Sequence, residues 1–334
     1  MLKHPEVKNI GLLTLLYAGT TWLFSFKYSI LNDIVKKLKR GSISAGNTFF
    51  IESKSSETSK NGVIENTENV KFISIHVPTH KKPLNDDEFG HYLAGLIDGD
   101  GHFSNKQQLV IAFHSLDVSL AYYIKKRLGY GNVKKVKNKK GAAFLLIIAS
   151  KDGLKKVIEL INGKIRTENK YNQINKNILD YNNNLDFKIG SKINLKLNIN
   201  TNLDNHWLAG FSDADASFQI KILNRKNRVE IRLNFQIDQK KDNVLKLIKN
   251  YLGGNIGYRK RQDTYYYGST SYGSARNVIK YFDHFHLLSS KHINYLKWRK
   301  AYIIIQNKGH LNKEGIDKIT NLKNTMNRLS DIII

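Results

Sequence analysis

The chain has 334 residues, and its 54 Lys and Arg against 28 Asp and Glu give a formal net charge of +26. This charge favours a protein that binds a polyanion such as nucleic acid over one in which lysine only maintains solubility. Hydrophobic residues make up 41% of the chain, which is typical of a globular protein with apolar material for two cores. The sequence has no cysteine, which excludes disulfide scaffolds, cysteine-ligated zinc, iron–sulfur clusters and thiol catalysis.

An uncharged apolar run of 17 residues, from Ile10 to Phe26, lies near the start of the chain. Its length falls between a signal-peptide core and a membrane span, and no small-residue cleavage site follows it. Residues 41–82 are rich in Ser, Thr, Asn and Glu without periodicity, which is typical of a linker. We interpret residues 1–40 as an apolar leader or a membrane segment joined to the body by linker 41–82.

From residue 83 onward the chain contains an internal repeat. The segment LAGLIDGDG at Leu93–Gly101 is matched 115 residues later by LAGFSDADA at Leu208–Ala216. In both copies an alternating strand, a helix ending near a glycine pair, a basic hairpin and a further helix follow in the same order. The repeat predicts an α+β fold of two pseudo-symmetric α-β-β-α-β-β-α halves. The segments are a first half at 83–175, a linker at 176–203, a second half at 204–310 and a C-terminal tail at 311–334.

Acidic and amide side chains mark where the motif helices begin. Asn85, Asp86, Asp87 and Glu88 precede the first motif, and Asp204 is expected to play the same part in the second. Such side chains accept hydrogen bonds from the free N–H groups of the first turn and interact favourably with the positive end of the helix dipole.

Small residues recur four apart in each motif helix, at Gly95 and Gly99 in the first and at Gly210 and Ala214 in the second. This spacing lets two helix backbones approach closely. The alternative is a glycine-containing helix packed on its own sheet. Because the pattern occurs in both copies, it favours packing of the two motif helices on each other.

If the motif helices pack in this way, two pairs of carboxylates meet at their C-terminal ends: Asp98 and Asp100, and Asp213 and Asp215. Carboxylates at this position are destabilised by the helix dipole and by each other. A bound divalent cation would offset that cost, and Mg²⁺ is the usual ion where phosphates complete the coordination. An EF-hand calcium loop is excluded in both copies because its required Gly and Glu are absent.

Two strands of the second repeat alternate apolar and polar residues, so one face is expected to be buried and the other open. Such a polar row suits the edges of guanine and adenine in the major groove, and the alternative is an ordinary solvated face. The predicted DNA-binding residues are Ser217, Gln219, Lys221, Arg228, Glu230, Arg232, Asn234 and Gln236, with Arg259, Lys260 and Arg261 in the basic hairpin that follows.

The first repeat carries a less explicit version of this surface. Its strand is predicted to expose Gln108, Val110, Ala112 and His114. Its hairpin is rich in lysine, which suits contact with phosphates better than reading of bases, unless the turn is simply solvated. The lysines concerned are Lys134, Lys135, Lys137, Lys139 and Lys140.

The two nine-residue segments resemble the signature motifs of the double-motif LAGLIDADG homing endonucleases, and the resemblance covers about residues 85–305. The chain looks most like members encoded in group I introns of mitochondrial genomes. The resemblance implies that the motif helices form the interface between the halves and that each half lays a four-stranded antiparallel sheet into the major groove. The departures from the motif, at Gly99, Ser212 and Ala216, are all small residues.

The resemblance also implies site residues. The last acid of each motif, Asp100 and Asp215, would bind catalytic divalent metal, with backbone carbonyls from Gly99 and Ala214. A lysine in each half would lie near the scissile phosphates. The candidates, each opening a K-x-x-[QN] element, are Lys170 and Lys291, with Lys164 as a substitute for Lys170.

The implied protein is a monomeric mitochondrial endonuclease that uses Mg²⁺ or Mn²⁺ to cut both strands of a long DNA target, leaving short 3′ overhangs in intron homing. Two other functions remain open on the sequence. One is a group I intron maturase that binds its own intron RNA, with or without nuclease activity. The other is a non-catalytic DNA-binding regulator.

Overall fold

The computed structural model describes residues 72–138, 141–180, 193–226 and 228–327, without the side chains of 137, 138, 141 and 142. The interpretations of residues 1–40 as a leader and of 41–71 as a linker lie outside the described residues, as do Lys139, Lys140 and the side chain of Lys137. In the part of the chain that is described, no helix combines the length and apolar character needed to cross a bilayer.

The first half follows the predicted order of elements and adds one helix. Its strands form a single antiparallel sheet in the order β1-β2-β4-β3. Leu109, Ile111 and Phe113 of the second strand are buried, so its alternation places one face on the core, as predicted. The elements are α1 (Asp86–Asp100), β1 (Gly101–Ser104), β2 (Gln108–His114), α2 (Val118–Leu128), β3 (Asn132–Asn138), β4 (Gly141–Ile148), α3 (Lys151–Ile161) and α4 (Glu168–Ile174).

The second half repeats this plan, with sheet order β5-β6-β8-β7. β6 pairs with β8 only through Gln236–Gln239, whereas it pairs with β5 from Arg228 to Ile237. The β5–β6 hairpin therefore projects beyond the rest of its sheet. The elements are α5 (Trp207–Asp215), β5 (Ala216–Arg225), β6 (Arg228–Gln239), α6 (Asn243–Leu252), β7 (Asn255–Arg259), β8 (Thr264–Gly268), α7 (Tyr272–His284) and α8 (Lys291–Gln306), followed by α9 (Lys313–Thr325) within the predicted tail.

The two motif helices begin differently. At α1 the predicted cap is present: Asn85 Oδ1 accepts from the Glu88 N–H at 2.8 Å, and Glu88 Oε2 accepts from the Leu84 N–H at 2.7 Å. At α5 the prediction for Asp204 is wrong. Asn205 Oδ1 accepts from the Trp207 N–H at 2.9 Å, because the helix begins later than the acidic residue suggests.

Helices α1 and α5 pack directly on each other, as their small residues predict. A Cβ on Gly95 would overlap the carbonyl oxygen of Trp207, and a Cβ on Gly210 would overlap that of Tyr92. The glycines thus let each helix rest on the backbone of the other. This contact brings the C-terminal ends of α1 and α5 together where the two halves of the chain meet.

Candidate active site

The acids at the ends of the two motif helices form one cluster. Asp215 Oδ2 lies against α1, 3.1 Å from where a Cβ on Gly99 would stand. Desolvation, with a smaller contribution from the Asp215 charge, raises the pKa of Asp100 to about 6, although the residue is exposed at its surface. Burial also raises the pKa of Asp215. A bound cation would stabilise the ionised form of these two adjacent carboxylates, so the cluster fits a cation site.

Two of the predicted lysines lie at this cluster. The positive charges of Lys291 and Lys170 act on both Asp100 and Asp215, lowering their pKa values against the effect of burial. Lys291 Nζ donates to the carbonyl oxygen of Ala214 at 2.6 Å and to that of Ser212 at 3.2 Å. Burial lowers the pKa of both lysines. The ammonium of Lys291 therefore lies on the carbonyl that was predicted to face metal.

Lys164, the substitute candidate, lies elsewhere. Its Nζ is 3.1 Å from a carboxylate oxygen of Asp87, in the first turn of α1. Asp87 and Asp100 are 13 positions apart on this helix, which is about 20 Å at the rise of an α-helix. The structure therefore favours Lys170 over Lys164.

The other two acids of the motifs are not part of this cluster. Asp98 is buried and accepts hydrogen bonds from the backbone of Arg166 and Thr167, from the Thr167 hydroxyl and, at 2.8 Å, from Trp207 Nε1 of the facing helix. These donors oppose the burial that raises the pKa of Asp98 to about 6. Asp98 therefore ties α1 both to α5 and to the start of α4.

Asp213 has the same role in the second half. It accepts from the Tyr92 hydroxyl of the facing helix at 2.7 Å, from the Leu288 N–H at 2.7 Å and from the Ser289 hydroxyl at 2.5 Å. Tyr92 and Trp207 are themselves related by the repeat spacing of 115 residues. Asp98 and Asp213 thus link the pair of motif helices to the segments before α4 and α8, the helices that carry Lys170 and Lys291.

One residue at the cluster was missed by sequence reasoning. Gln239 Nε2 donates to Asp215 Oδ2 at 2.7 Å from the end of β6. The corresponding position of the first half is the buried Phe113, because Ile237 and Ile111 pair with equivalent residues, Ala216 and Gly101. The two halves therefore surround their acids with different chemistry. This equivalence rests on the strand pairing, which the sequence alone does not give.

The open face of the second sheet carries a connected row of polar side chains. Glu230 binds Arg232 Nε at 2.5 Å and Arg225 Nε at 3.1 Å, so it orients two arginines. Asn234 donates to Gln219 and Gln236, but it is only 3% exposed. The prediction of Asn234 as a direct contact therefore does not match its burial, and it supports its neighbours instead. Exposed residues of the predicted set are Ser217, Lys221, Arg228, Arg232, Lys260 and Arg261, and partly exposed ones are Gln219, Glu230, Gln236 and Arg259.

The first sheet offers a less polar face, as predicted. Ala112 and His114 are exposed, whereas Gln108 and Val110 are partly buried. Lys134 and Lys135 are exposed on β3, an edge strand, and the backbone of Lys137 continues that strand. The described lysines therefore lie at a sheet edge, where long cationic side chains can reach phosphates.

Comparison with known proteins agrees with this architecture. A family model described as LAGLIDADG endonuclease matches residues 93–179 and 208–302, which include both motif helices and both sheets. The chain belongs to the LAGLIDADG endonuclease family.

Several relatives are intron proteins by name. An uncharacterized 37.2 kDa protein of cox1 intron 2 in Schizosaccharomyces pombe is 62% identical, covering 93% of this chain and 96% of that protein. The intron-encoded DNA endonuclease aI3 of Saccharomyces cerevisiae is 30% identical over 76% of this chain and 70% of its own. A more distant relative, the intron-encoded RNA maturase bI4 of Saccharomyces cerevisiae, is 29% identical over 57% of this chain and 28% of its own.

The fold prediction is confirmed by a solved structure. I-SmaMI, bound to uncleaved DNA target in the presence of calcium ions, has a TM-score of 0.56 and 25% identity, covering 73% of this chain and 99% of that one. LAGLIDADG nucleases use divalent metal ions. The residues present here fit such an ion, because the Asp100 and Asp215 carboxylates supply the hard oxygen ligands that Mg²⁺ and Ca²⁺ prefer.

We expect binding of a divalent cation at the acid pair to depend on pH. The pKa of Asp100, about 6, lies above its ordinary value of 3.8, so a proton competes with a cation as the pH falls through 6. We expect Mg²⁺ affinity to decrease by about tenfold per pH unit below that value, and to change little above pH 7. Calorimetric titration of Mg²⁺ at about pH 7 and about pH 5 measures this. Equal affinity at both pH values would contradict it.

The same shift affects the stability of the metal-free protein. Because the folded-state pKa of Asp100 is raised, its contribution to stability is present below about pH 4 and is lost as the pH rises through about 6. Asp100→Asn removes this dependence. The variant should therefore melt at a higher temperature than the metal-free wild type at pH 7, with no such gain at pH 4.

Proposed function

We propose that the protein is a site-specific, metal-dependent endonuclease that cuts both strands of a long DNA target and acts in intron homing. The observation that carries the proposal is the cluster at the ends of α1 and α5. Asp100, Asp215, Lys170 and Lys291 meet there, and each half contributes one acid and one lysine. Because the cox1 intron protein is the relative of 62% identity, we place this function in the mitochondrion.

Each residue of the cluster has a distinct role in the proposed reaction. Asp100 and Asp215 would hold Mg²⁺ or Mn²⁺, with the Gly99 carbonyl as a further oxygen donor and the Ala214 carbonyl shared with the Lys291 ammonium. When bound, divalent cations supply positive charge that stabilises the attacking and leaving oxygens of an in-line displacement at phosphorus. Gln239 orients the Asp215 carboxylate through its 2.7 Å hydrogen bond.

The two sheets divide the work of recognition in this proposal. The second sheet, with arginines oriented by Glu230 and amides linked through Asn234, suits hydrogen bonding to base edges. Lys134 and Lys135 at the edge of the first sheet suit phosphates. We therefore propose that a single chain binds the double-stranded target, since one chain carries both sheets.

The second candidate is an intron RNA maturase. The likeness to the maturase bI4 supports it, and so does the +26 charge, which suits RNA as well as DNA. The intact acid pair favours the nuclease, because an RNA-binding surface has no need of two adjacent carboxylates at which burial and the charge of Asp215 raise the pKa of Asp100. A protein with both functions would cleave the target DNA and also promote splicing of the intron RNA.

The test uses the full-length protein, Mg²⁺ and a DNA fragment that spans the intron-free insertion site of the host gene. We expect one discrete double-strand cut that is lost in EDTA. Competitor DNA and physiological salt are needed, because so basic a protein binds DNA non-specifically with affinity that falls steeply as salt rises. No cut, together with selective binding and splicing of the intron RNA, would replace the nuclease by the maturase.

Replacement of Lys291 by Met should separate chemistry from binding. Lys291 lies next to Asp100 and Asp215 and donates to the Ala214 carbonyl, so its charge can stabilise a phosphate oxygen. We expect the single-turnover cleavage rate to drop by about 100-fold or more. Target affinity should stay nearly constant. Lys300→Met, an exposed lysine on the same helix, is the matched control and should cut normally.

A further inference from the structure

Three histidines meet outside the acid cluster, where the segment before α1 crosses the loop between α7 and α8. His80, His286 and His292 each offer a ring nitrogen, and these three atoms lie within 4.8 Å of one another. Their ring centroids are 4.5 to 5.9 Å apart. Across the described ranges this is the one group of three or more His, Asp or Glu side chains arranged so that it could hold a metal ion.

The segment that carries His80 is fixed to the second half by specific contacts. The buried Arg299 guanidinium donates to the carbonyl oxygens of Ser74 and His76 at 2.9 and 3.1 Å, and its Nε donates to Asp283. The Gln306 side chain exchanges two hydrogen bonds of 2.9 Å with the backbone of Ile73. His80 is therefore held beside the α7–α8 loop although it is far away in sequence.

The ring of His80 has a defined tautomer. Its Nε2 lies 2.8 Å from the carbonyl oxygen of Leu287, and a carbonyl accepts, so Nε2 carries the proton. The lone pair of His80 is then on Nδ1. A ring N–H bound to a backbone carbonyl is the usual arrangement that orients a metal-binding histidine.

The other two rings each present an unused nitrogen. His286 is only 4% exposed, and its Nδ1 is buried without a hydrogen-bond partner. Nδ1 of His292 is also buried without a partner. Burying an unsatisfied polar atom costs free energy, which a ligand would recover.

We propose that His80, His286 and His292 bind one transition-metal ion of the zinc class. Tetrahedral zinc with nitrogen ligands needs nitrogens about 3.4 Å apart, so a modest closure of the three rings suffices. His80 is exposed, which leaves the fourth position to water. Imidazole favours zinc, copper and nickel over Mg²⁺ and Ca²⁺, so this site and the acid cluster select different ions.

The ion would join the segment before α1, which carries His80, to the α7–α8 loop, which precedes Lys291. That loop supplies the Leu288 N–H and the Ser289 hydroxyl to Asp213, and Lys291 begins the next helix. The site therefore has a structural role, because a bound ion would stabilise the packing of the segment before α1 on the second half. Binding of the ion does not depend on nuclease activity, so it can be tested even if the proposed reaction is wrong.

The experiment uses the full-length Asp100→Asn, Asp215→Asn double variant, which removes the acid cluster as a competing site. The protein is stripped with EDTA and titrated with Zn²⁺ by calorimetry and with Co²⁺ by visible absorption. We expect one ion per chain and the visible bands of four-coordinate Co²⁺, without competition from excess Mg²⁺. Free Zn²⁺ at about 100 times its Kd should raise the folded-to-unfolded ratio about 100-fold.

Single substitutions in this background identify the ligands. His80→Ala, at an exposed residue, and His292→Ala should each abolish stoichiometric binding and the stabilisation by Zn²⁺, while circular dichroism shows that they fold. His102→Ala, at an exposed histidine of β1, is the matched control and should bind as the background does. Unchanged zinc affinity in His80→Ala and His292→Ala, or no stoichiometric binding in the background, would overturn the proposal.

Discussion

Asp100→Asn and Asp215→Asn are each expected to abolish double-strand cleavage and to leave target affinity nearly unchanged. Asn has the shape of Asp but lacks the negative charge and one oxygen ligand. The two acids are the last residues of α1 and α5, and neither contributes a side chain to the polar row of the second sheet. We expect a rate loss of more than about 1,000-fold, equivalent to about 4 kcal/mol of transition-state stabilisation.

Both strands should be affected in each variant. Asp100 and Asp215 share one cluster, in which each is influenced by the same two lysines. Single-turnover cleavage of a target labelled on both strands measures each cut, and a gel-shift titration measures affinity. Asp317→Asn, at an exposed acid of α9, controls for the loss of one negative charge. Wild-type cutting by either active-site variant, or loss of binding together with cutting, would contradict the assigned roles.

The fold could be predicted because its signals are local and occur twice. Alternation over Gln108–His114 and Arg228–Gln239 indicates strands with one buried face, and the structure has them. The glycines at positions 95 and 210 predict close helix packing, which the overlap of a Cβ with a facing carbonyl explains. The duplication then establishes the order of the elements, because an element whose pattern is ambiguous in one half can be identified from its counterpart in the other.

The division of labour among the four motif acids was not predicted. Asp98 and Asp100 are two positions apart, which on a helix turns their side chains about 200° from each other. Asp98 therefore faces the donors of α5 and the start of α4, and Asp100 lies near Asp215 and the two lysines. The sequence shows four similar carboxylates, and only the packing of the helices separates the buried pair from the open pair.

Contacts between distant segments were also beyond sequence reasoning. His80 meets His286 across 206 positions, and no periodicity connects them. Gln239 is the last residue of β6 and lies on the face of the buried Ile237, opposite the polar row, so its bond to Asp215 depends on where β6 ends relative to α5. Asn234 lies on the predicted polar face, yet alternation gives the face of a residue and not how much its neighbours cover it.

Gly95→Ala and Gly210→Ala are each expected to destabilise the protein by about 1–3 kcal/mol or more. The new Cβ would overlap a backbone carbonyl oxygen, of Trp207 in one case and of Tyr92 in the other. A backbone atom cannot rotate away, so helices α1 and α5 must separate. Separation would also weaken the hydrogen bonds that Trp207 and Tyr92 make to Asp98 and Asp213.

Chemical denaturation of the two variants measures this loss, and Gly273→Ala is the matched control. Gly273 is exposed in the first turn of α7, and a Cβ there meets nothing within 4 Å. The control should therefore gain about 0.4–1 kcal/mol, because alanine restricts the unfolded chain. Equal stability changes at Gly95 and Gly273 would show that the helices do not rest on each other's backbone. The double variant should cost less than the sum of its parts, since either substitution alone already separates the same interface.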